Sequence, residues 1–285
     1  MAPNPLPAIF FGHGSPMNAL ARNRYTEAWR AFGAAVGTPR AILMVSAHWY
    51  INATAVTAMS EPRTIHDFYG FPKELFAVDY PAPGSPELAQ EVAEVVKPVW
   101  VGADHDSWGL DHGTWSVLRH AFPDARIPVV QLAINAMKPF EYHLDLGARL
   151  APLRERGVLI AASGNVVHNL GGIDPRMAER SFDWARRFGE AARGLLADEP
   201  GTVAGLEHHP DYDAAAPTPD HFIPLLYLGG VAAAAGRPAE VLIDGYAYGS
   251  LSMASYAVDL PCPAAGDGAG PPAPLPDMPA DDTNM

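Results

Sequence analysis

A chain of 285 residues, 48% hydrophobic and 18% charged, is long enough to bury a sizeable core. Its 32 acidic side chains outnumber the 19 basic ones for a formal charge of -13, so the phosphate neutralisation that drives nucleic-acid binding is lacking. A single cysteine, Cys262, excludes a disulfide framework and multi-cysteine zinc or iron–sulfur sites, and no run of about 18 uncharged apolar residues marks a membrane span.

Residues 1–11 lack the basic region, apolar stretch and small-residue cleavage site of a secretory signal, so a cytoplasmic location is expected. The apolar run 7–11 stops at Gly12-His13-Gly14-Ser15-Pro16, which predicts a buried strand feeding a tight loop. The spacing of Tyr25, Trp29, Phe32 and Val36 predicts a helix over 20–36. A second apolar strand, 41–45, ends in Ser46-Ala47-His48-Trp49. A helix over 86–96, an irregular stretch 102–114, a helix over 115–122, a strand over 127–134 and a helix over 140–156 follow. A third strand, 158–162, then runs into Ser163-Gly164-Asn165-Val166-Val167-His168-Asn169. An amphipathic helix over 182–198, a loop 208–219, a short helix over 222–228 and strands at 241–243 and 252–258 come last.

Strands alternating with helices predict an α/β fold: a single layered domain, 1–260, whose central mostly parallel or mixed sheet is flanked by helices. The segment 261–285, rich in proline, alanine and glycine, has no periodic apolar face and is expected to be a disordered tail. In open α/β sheets ligands bind beyond the carboxyl ends of the strands, so a metal site is expected there.

Divalent iron or zinc takes nitrogen donors held rigidly, with a coordination position left open for substrate. His13 and His48 each follow an apolar strand within small-residue turns, and His221 follows Pro217-Thr218-Pro219-Asp220, where two prolines stiffen the backbone. These three are the candidate ligands. His112, in Asp111-His112-Gly113-Thr114-Trp115, and His168, after the third strand, are candidates to move protons near neutral pH. A lone histidine at such a position is more often a turn or core residue than a ligand, and no HExxH or HxH pair is present. His66, in an aromatic stretch, is a candidate for a lid or substrate pocket, with Phe68, Tyr69, Phe71 and Trp115 as its wall. Nucleotide templates fail for want of a phosphate-loop lysine or a GxGxxG turn. A Ser15 nucleophile fails because the GxSxG elbow is absent and Pro16 lacks the N–H of an oxyanion hole.

Six ordered segments carry a resemblance: Gly12–Asn18, Ser46–Trp49, His66–Pro72, Leu110–Trp115, Ser163–Leu170 and Pro217–His221. Together they resemble the DOPA-dioxygenase type of extradiol aromatic ring-opening dioxygenase, in the class III superfamily that includes the catalytic subunit of protocatechuate ring-cleaving enzymes. The resemblance implies that His13, His48 and His221 bind a non-haem metal, with Fe2+ catalytic and Zn2+ an occupant of isolated protein. It further implies that His168 is the acid/base and that His112 lines the pocket; Ser15, His66, Phe68, Tyr69 and Trp115 are the candidate substrate contacts. The protocatechuate branch has a glutamate at the third ligand position, where this chain has His221; the adjacent Asp220 keeps a carboxylate ligand open. The implied reaction joins dioxygen to a catechol-type, DOPA-like substrate and yields a ring-opened semialdehyde. No nucleic-acid or membrane partner is expected, and a monomer or small homo-oligomer fits. The alternative is a zinc-dependent hydrolase that uses the same histidines to activate water.

Overall fold

The structure, a computed structural model, describes residues 4–262, 264–265 and 271–275. Along the chain the strands are β1 (Ala8–Gly12), β2 (Ala41–Ile51), β3 (Ala55–Thr57), β4 (Gly102–Asp104), β5 (Val129–Asn135), β6 (Val158–Gly164), β7 (Ala239–Ile243), β8 (Tyr246–Ala247), β9 (Leu251–Ser252) and β10 (Ser255–Val258). The helices are α1 (Arg24–Val36), α2 (Lys73–Phe76), α3 (Pro86–Val95), α4 (His112–Ala121), α5 (Phe140–Leu150), α6 (Asp183–Asp198), α7 (Tyr212–Ala215) and α8 (Ile223–Ala235).

Eight strands form one sheet in the order β4-β3-β5-β2-β6-β1-β10-β7, while β8 and β9 pair separately. The centre, β5-β2-β6-β1, is parallel throughout; antiparallel pairings of β3 with β5 and of β10 with both β1 and β7 make the sheet mixed. Every residue of β1, β5 and β6 is buried, as continuous apolar strands covered on both faces should be. Phe10, Leu43, Val45, Leu132 and Ile160 face a layer built from α3, α5, α6 and α8. Their alternates Ile9, Phe11, Ile42, Met44 and Leu159 face α1, α2 and α4. The architecture is therefore the predicted α/β sheet between helical layers.

Local chemistry moves several boundaries. The first helix starts at Arg24 and not at residue 20, because Asn23 caps it and Thr26 returns a hydrogen bond to the Asn23 N–H. Asp111 accepts from the Thr114 N–H, so α4 begins at His112 and not at 115, which places that imidazole in its first turn. Pro152 ends α5 at Leu150 in a 3-10 turn. Strand β2 runs past residue 45 to Ile51, with its register against β5 shifting between Val45 and Tyr50. The helix expected over 222–228 continues to Ala235. The stretch 102–114 contains β4, and 252–258 divides into β9 and β10 around Met253-Ala254.

Of the expected tail 261–285, residues 263, 266–270 and 276–285 lie outside the described residues. Within the remainder, the Ala265 N–H donates to the Leu242 carbonyl at 2.6 Å, and the buried Ala273 carbonyl accepts from the Tyr248 hydroxyl at 2.7 Å. Among the described residues no helix is long and apolar enough to cross a membrane.

Candidate active site and metal centre

Because β2, β6 and β1 are parallel neighbours, their carboxyl ends lie side by side, and histidines distant in sequence meet there. His13 follows β1 directly, its N–H donating to the Gly164 carbonyl at 3.1 Å. His48 lies inside β2, in the stretch where the register against β5 breaks, so it is an irregular strand and not a strand end that aims it. The His221 carbonyl accepts from the Asn165 N–H at 2.9 Å. That approach requires glycine at 164, since a Cβ there would overlap the His221 carbonyl oxygen. His168 is fastened by its N–H to the Ala215 carbonyl at 2.8 Å and by a bridge to Leu251.

Five imidazoles converge. Ring centroids of His13 and His48 are 5.3 Å apart, of His13 and His221 5.3 Å, and of His48 and His221 4.9 Å. His112 packs on His48 at 3.7 Å and stands 6.1 Å from His13. His168 stacks on His221 at 3.5 Å with the rings parallel to within 1°. Ligand nitrogens of His13, His48 and His112 all fall within 4.8 Å of one another. His13, His112, His168 and His221 are buried, and the His48 side chain is only 5% exposed.

Hydrogen bonds set which nitrogen faces the site. The Ser163 hydroxyl gives its one proton to the Gly113 carbonyl at 2.6 Å, so at 2.8 Å from His13 Nδ1 it acts as acceptor and His13 carries its proton on Nδ1. Nδ1 of His221 lies 2.5 Å from Asp220 Oδ2, that of His112 3.0 Å from Asp67 Oδ1, and that of His48 3.5 Å from Asp67 Oδ2. With Nδ1 protonated toward Ser163 and Asp220, the His13 and His221 rings present a bare Nε2, whereas the Asp67 contacts of His112 and His48 are ion-pair contacts without hydrogen-bond geometry. Nε2 of His13 and His48 are 3.4 Å apart, and those of His112 and His221 are buried without a hydrogen-bond partner. Buried nitrogen lone pairs without donors fit a divalent cation.

For His13 and His48 electrostatics favour the neutral ring. Burial, reinforced by the imidazoles of His48 and His221, holds His13 well below the ordinary histidine value. Burial and His112 do the same for His48. Burial alone would raise Asp67, but the His112 and His48 imidazoles outweigh it and keep its carboxyl below the usual range; His221 has that effect on Asp220. Behind the site Asp111 is fully buried, accepting from Ser46 Oγ at 2.7 Å, from Trp108 Nε1 at 3.2 Å and from the Gln131 amide. Burial and the Asp67 charge push it up to about 6.

The expected substrate residues divide. The Phe68 ring packs 5.5 Å from His112 and 6.0 Å from Trp115. Trp115 is fully buried, its Nε1 donating to the Ile65 carbonyl at 2.8 Å, and His66 Nε2 donates to the Val78 carbonyl at 2.8 Å. Tyr69 is 54% exposed. Ser15 caps the 3-10 turn Pro16–Ala19 by accepting from the Met17 N–H. Asp67 and Ser163, each inside a segment singled out in the sequence, had no role there. Only their positions behind the imidazoles reveal one.

Residues 10–259 match the family described as the catalytic LigB subunit of aromatic ring-opening dioxygenase. The chain is 44% identical over 266 residues to a 4,5-DOPA dioxygenase extradiol of Escherichia coli (strain K12), covering 90% of this chain and 96% of the relative. It is 34% identical to the 4,5-DOPA dioxygenase extradiol of Beta vulgaris, covering 87% and 94%. A crystal structure of an uncharacterized protein from Escherichia coli K12 superposes with a TM-score of 0.78 at 40% identity, covering 89% of this chain and 99% of that one.

Proposed function

Since the chain belongs to the LigB family of aromatic ring-opening dioxygenases and is an extradiol ring-cleaving enzyme, we propose that it opens a DOPA-like catechol with dioxygen to a semialdehyde, at a ferrous ion held by His13, His48 and His221. One observation carries the ligand assignment. With metal–nitrogen bonds of about 2.1 Å and ring centroids roughly 1 Å further out, imidazoles at about 90–110° around one ion have centroids roughly 4.5–5.2 Å apart. The triangle of His13, His48 and His221, with sides of 5.3, 5.3 and 4.9 Å, comes within about 0.1 Å of that range. His112, at 3.7 Å from one ring and 6.1 Å from another, fits it poorly although its nitrogen borders the same space.

Bound there, a ferrous ion supplies charge that favours a deprotonated catechol and a redox link between ring and dioxygen, whereas zinc supplies the charge alone. His168, lying flat on His221 and so beside the ligand triangle, takes a phenolic proton and returns it to the departing oxygen. His112, its Nδ1 facing Asp67 at 3.0 Å, accepts at Nε2 from the other catechol hydroxyl. Phe68 forms the wall against the aromatic ring, His66 and Trp115 support it from behind, Tyr69 stands at the rim, and Ser15 fixes the turn that carries His13.

Single alanine variants test the assignment through metal content and rate. Replacement of His13, His48 or His221 should strip the iron, whereas His112→Ala and His168→Ala should keep it. His168→Ala should lose on the order of 10²–10⁴ in turnover, the usual contribution of a general acid–base. Full iron in His221→Ala, or its loss in His112→Ala, would transfer the third ligand role to His112.

A further inference from the structure

Resting on the metal site proposed above, we infer that Asp67 is a positioning residue: its one carboxylate holds both His48 and His112 with Nε2 turned into the site, and couples the aromatic loop 66–71 to metal binding. Oδ1 accepts from the His112 backbone N–H at 2.9 Å and faces His112 Nδ1 at 3.0 Å, while Oδ2 lies 3.5 Å from His48 Nδ1. The two Nδ1 contacts are ion-pair contacts and not hydrogen bonds, and a carboxylate facing both rings favours the tautomer with the proton on Nδ1 and the lone pair on Nε2. The 3.4 Å separation of His48 Nε2 from His13 Nε2 agrees with that orientation.

Ser163 holds His13 and Asp220 holds His221, each serving one ring. Among the described residues Asp67 is the acceptor that serves two, and the two belong to different working parts: a ligand and a pocket residue. It comes from a third element, 19 residues from His48 and 45 from His112. Its neighbours are both anchored, His66 by its bond to the Val78 carbonyl and Phe68 by packing 4.9 Å from Phe76 and 5.5 Å from His112. The loop that walls the substrate therefore also sets the tautomers of the rings it covers. Asp67 Oδ1 satisfies the His112 N–H at the start of α4 while Asp111 takes that of Thr114, so capping accounts for Oδ1 and leaves unexplained why Oδ2 faces His48.

The test is zinc affinity, measured on metal-stripped full-length protein by competition with a chelator. Wild type should take up one tight equivalent. Asp67→Asn keeps the shape but brings amide protons against one Nδ1–H, and should bind zinc about 10–100-fold more weakly with an unchanged circular dichroism spectrum. Asp67→Glu should recover part of the loss. If Asp67→Asn does not fold, Asp67→Ser is measured in its place with the same expectation. Wild-type zinc affinity in the folded Asn or Ser variant overturns the inference while leaving the site standing. Absence of a tight equivalent in wild type overturns the metal site itself.

Discussion

His143, on α5, shows how this core treats an imidazole outside the histidine cluster. It is fully buried, and its Nδ1 lies 3.0 Å from the Tyr227 hydroxyl. Burial depresses it from 6.5 to about 4. Between those values the unfolded chain binds a proton that the folded chain refuses. The His143 contribution to stability is thus fully present above about pH 6.5 and is lost as pH falls toward 4. At pH 5 the loss is about 2 kcal/mol. Urea unfolding at pH 7.5 and 5.0 should show this difference shrinking by about that amount in His143→Phe; an unchanged pH dependence would contradict the assignment. His143 lies in the stretch 140–156 that the sequence marks only as helix, whereas His13 and His221 stand out because turns of glycine, serine and proline set them beyond a strand and ahead of a helix; His48, expected beyond a strand, lies inside β2. Asp67 was not legible, because an aspartate within an aromatic loop has no partner until the fold supplies His48 and His112.

Helix α8 was the element most underestimated. From Ile223 to Ala232 all its residues are buried, so no polar face marks its periodicity, and Gly229-Gly230 imitates a stop signal. The glycine serves packing: a Cβ at position 230 would overlap the Leu144 carbonyl oxygen of α5. Gly230→Ala should therefore destabilise the protein by about 1–3 kcal/mol, in the range of core overpacking. An unaltered urea midpoint would show that the two helices separate at little cost. Strands β3 and β4 escaped notice because three residues offer too little alternation to read, and they exist by pairing at a sheet edge. Strands β1, β5 and β6 were read nearly to their ends because their continuous apolar runs are what a doubly covered sheet demands.

At the scale of the whole molecule the site follows from topology. Four parallel strands in the order β5-β2-β6-β1 bring the carboxyl ends of β2, β6 and β1 together, and α4 and α8 begin beside them. Each supplies an imidazole at or near that edge, although His13 and His221 are separated by most of the chain. The convergence was legible as a consequence of strand order once an α/β sheet was assumed. The acceptors behind the rings were not, since they depend on side-chain direction within loops. The measurement closest to the proposed chemistry is oxygen uptake by anaerobically iron-reconstituted protein given a panel of catechols that includes DOPA. Stoichiometric uptake, with the visible absorbance of a ring-cleaved semialdehyde for at least one catechol, is the predicted result. Folded, iron-loaded protein that consumes no oxygen with any of them would contradict ring cleavage at this site.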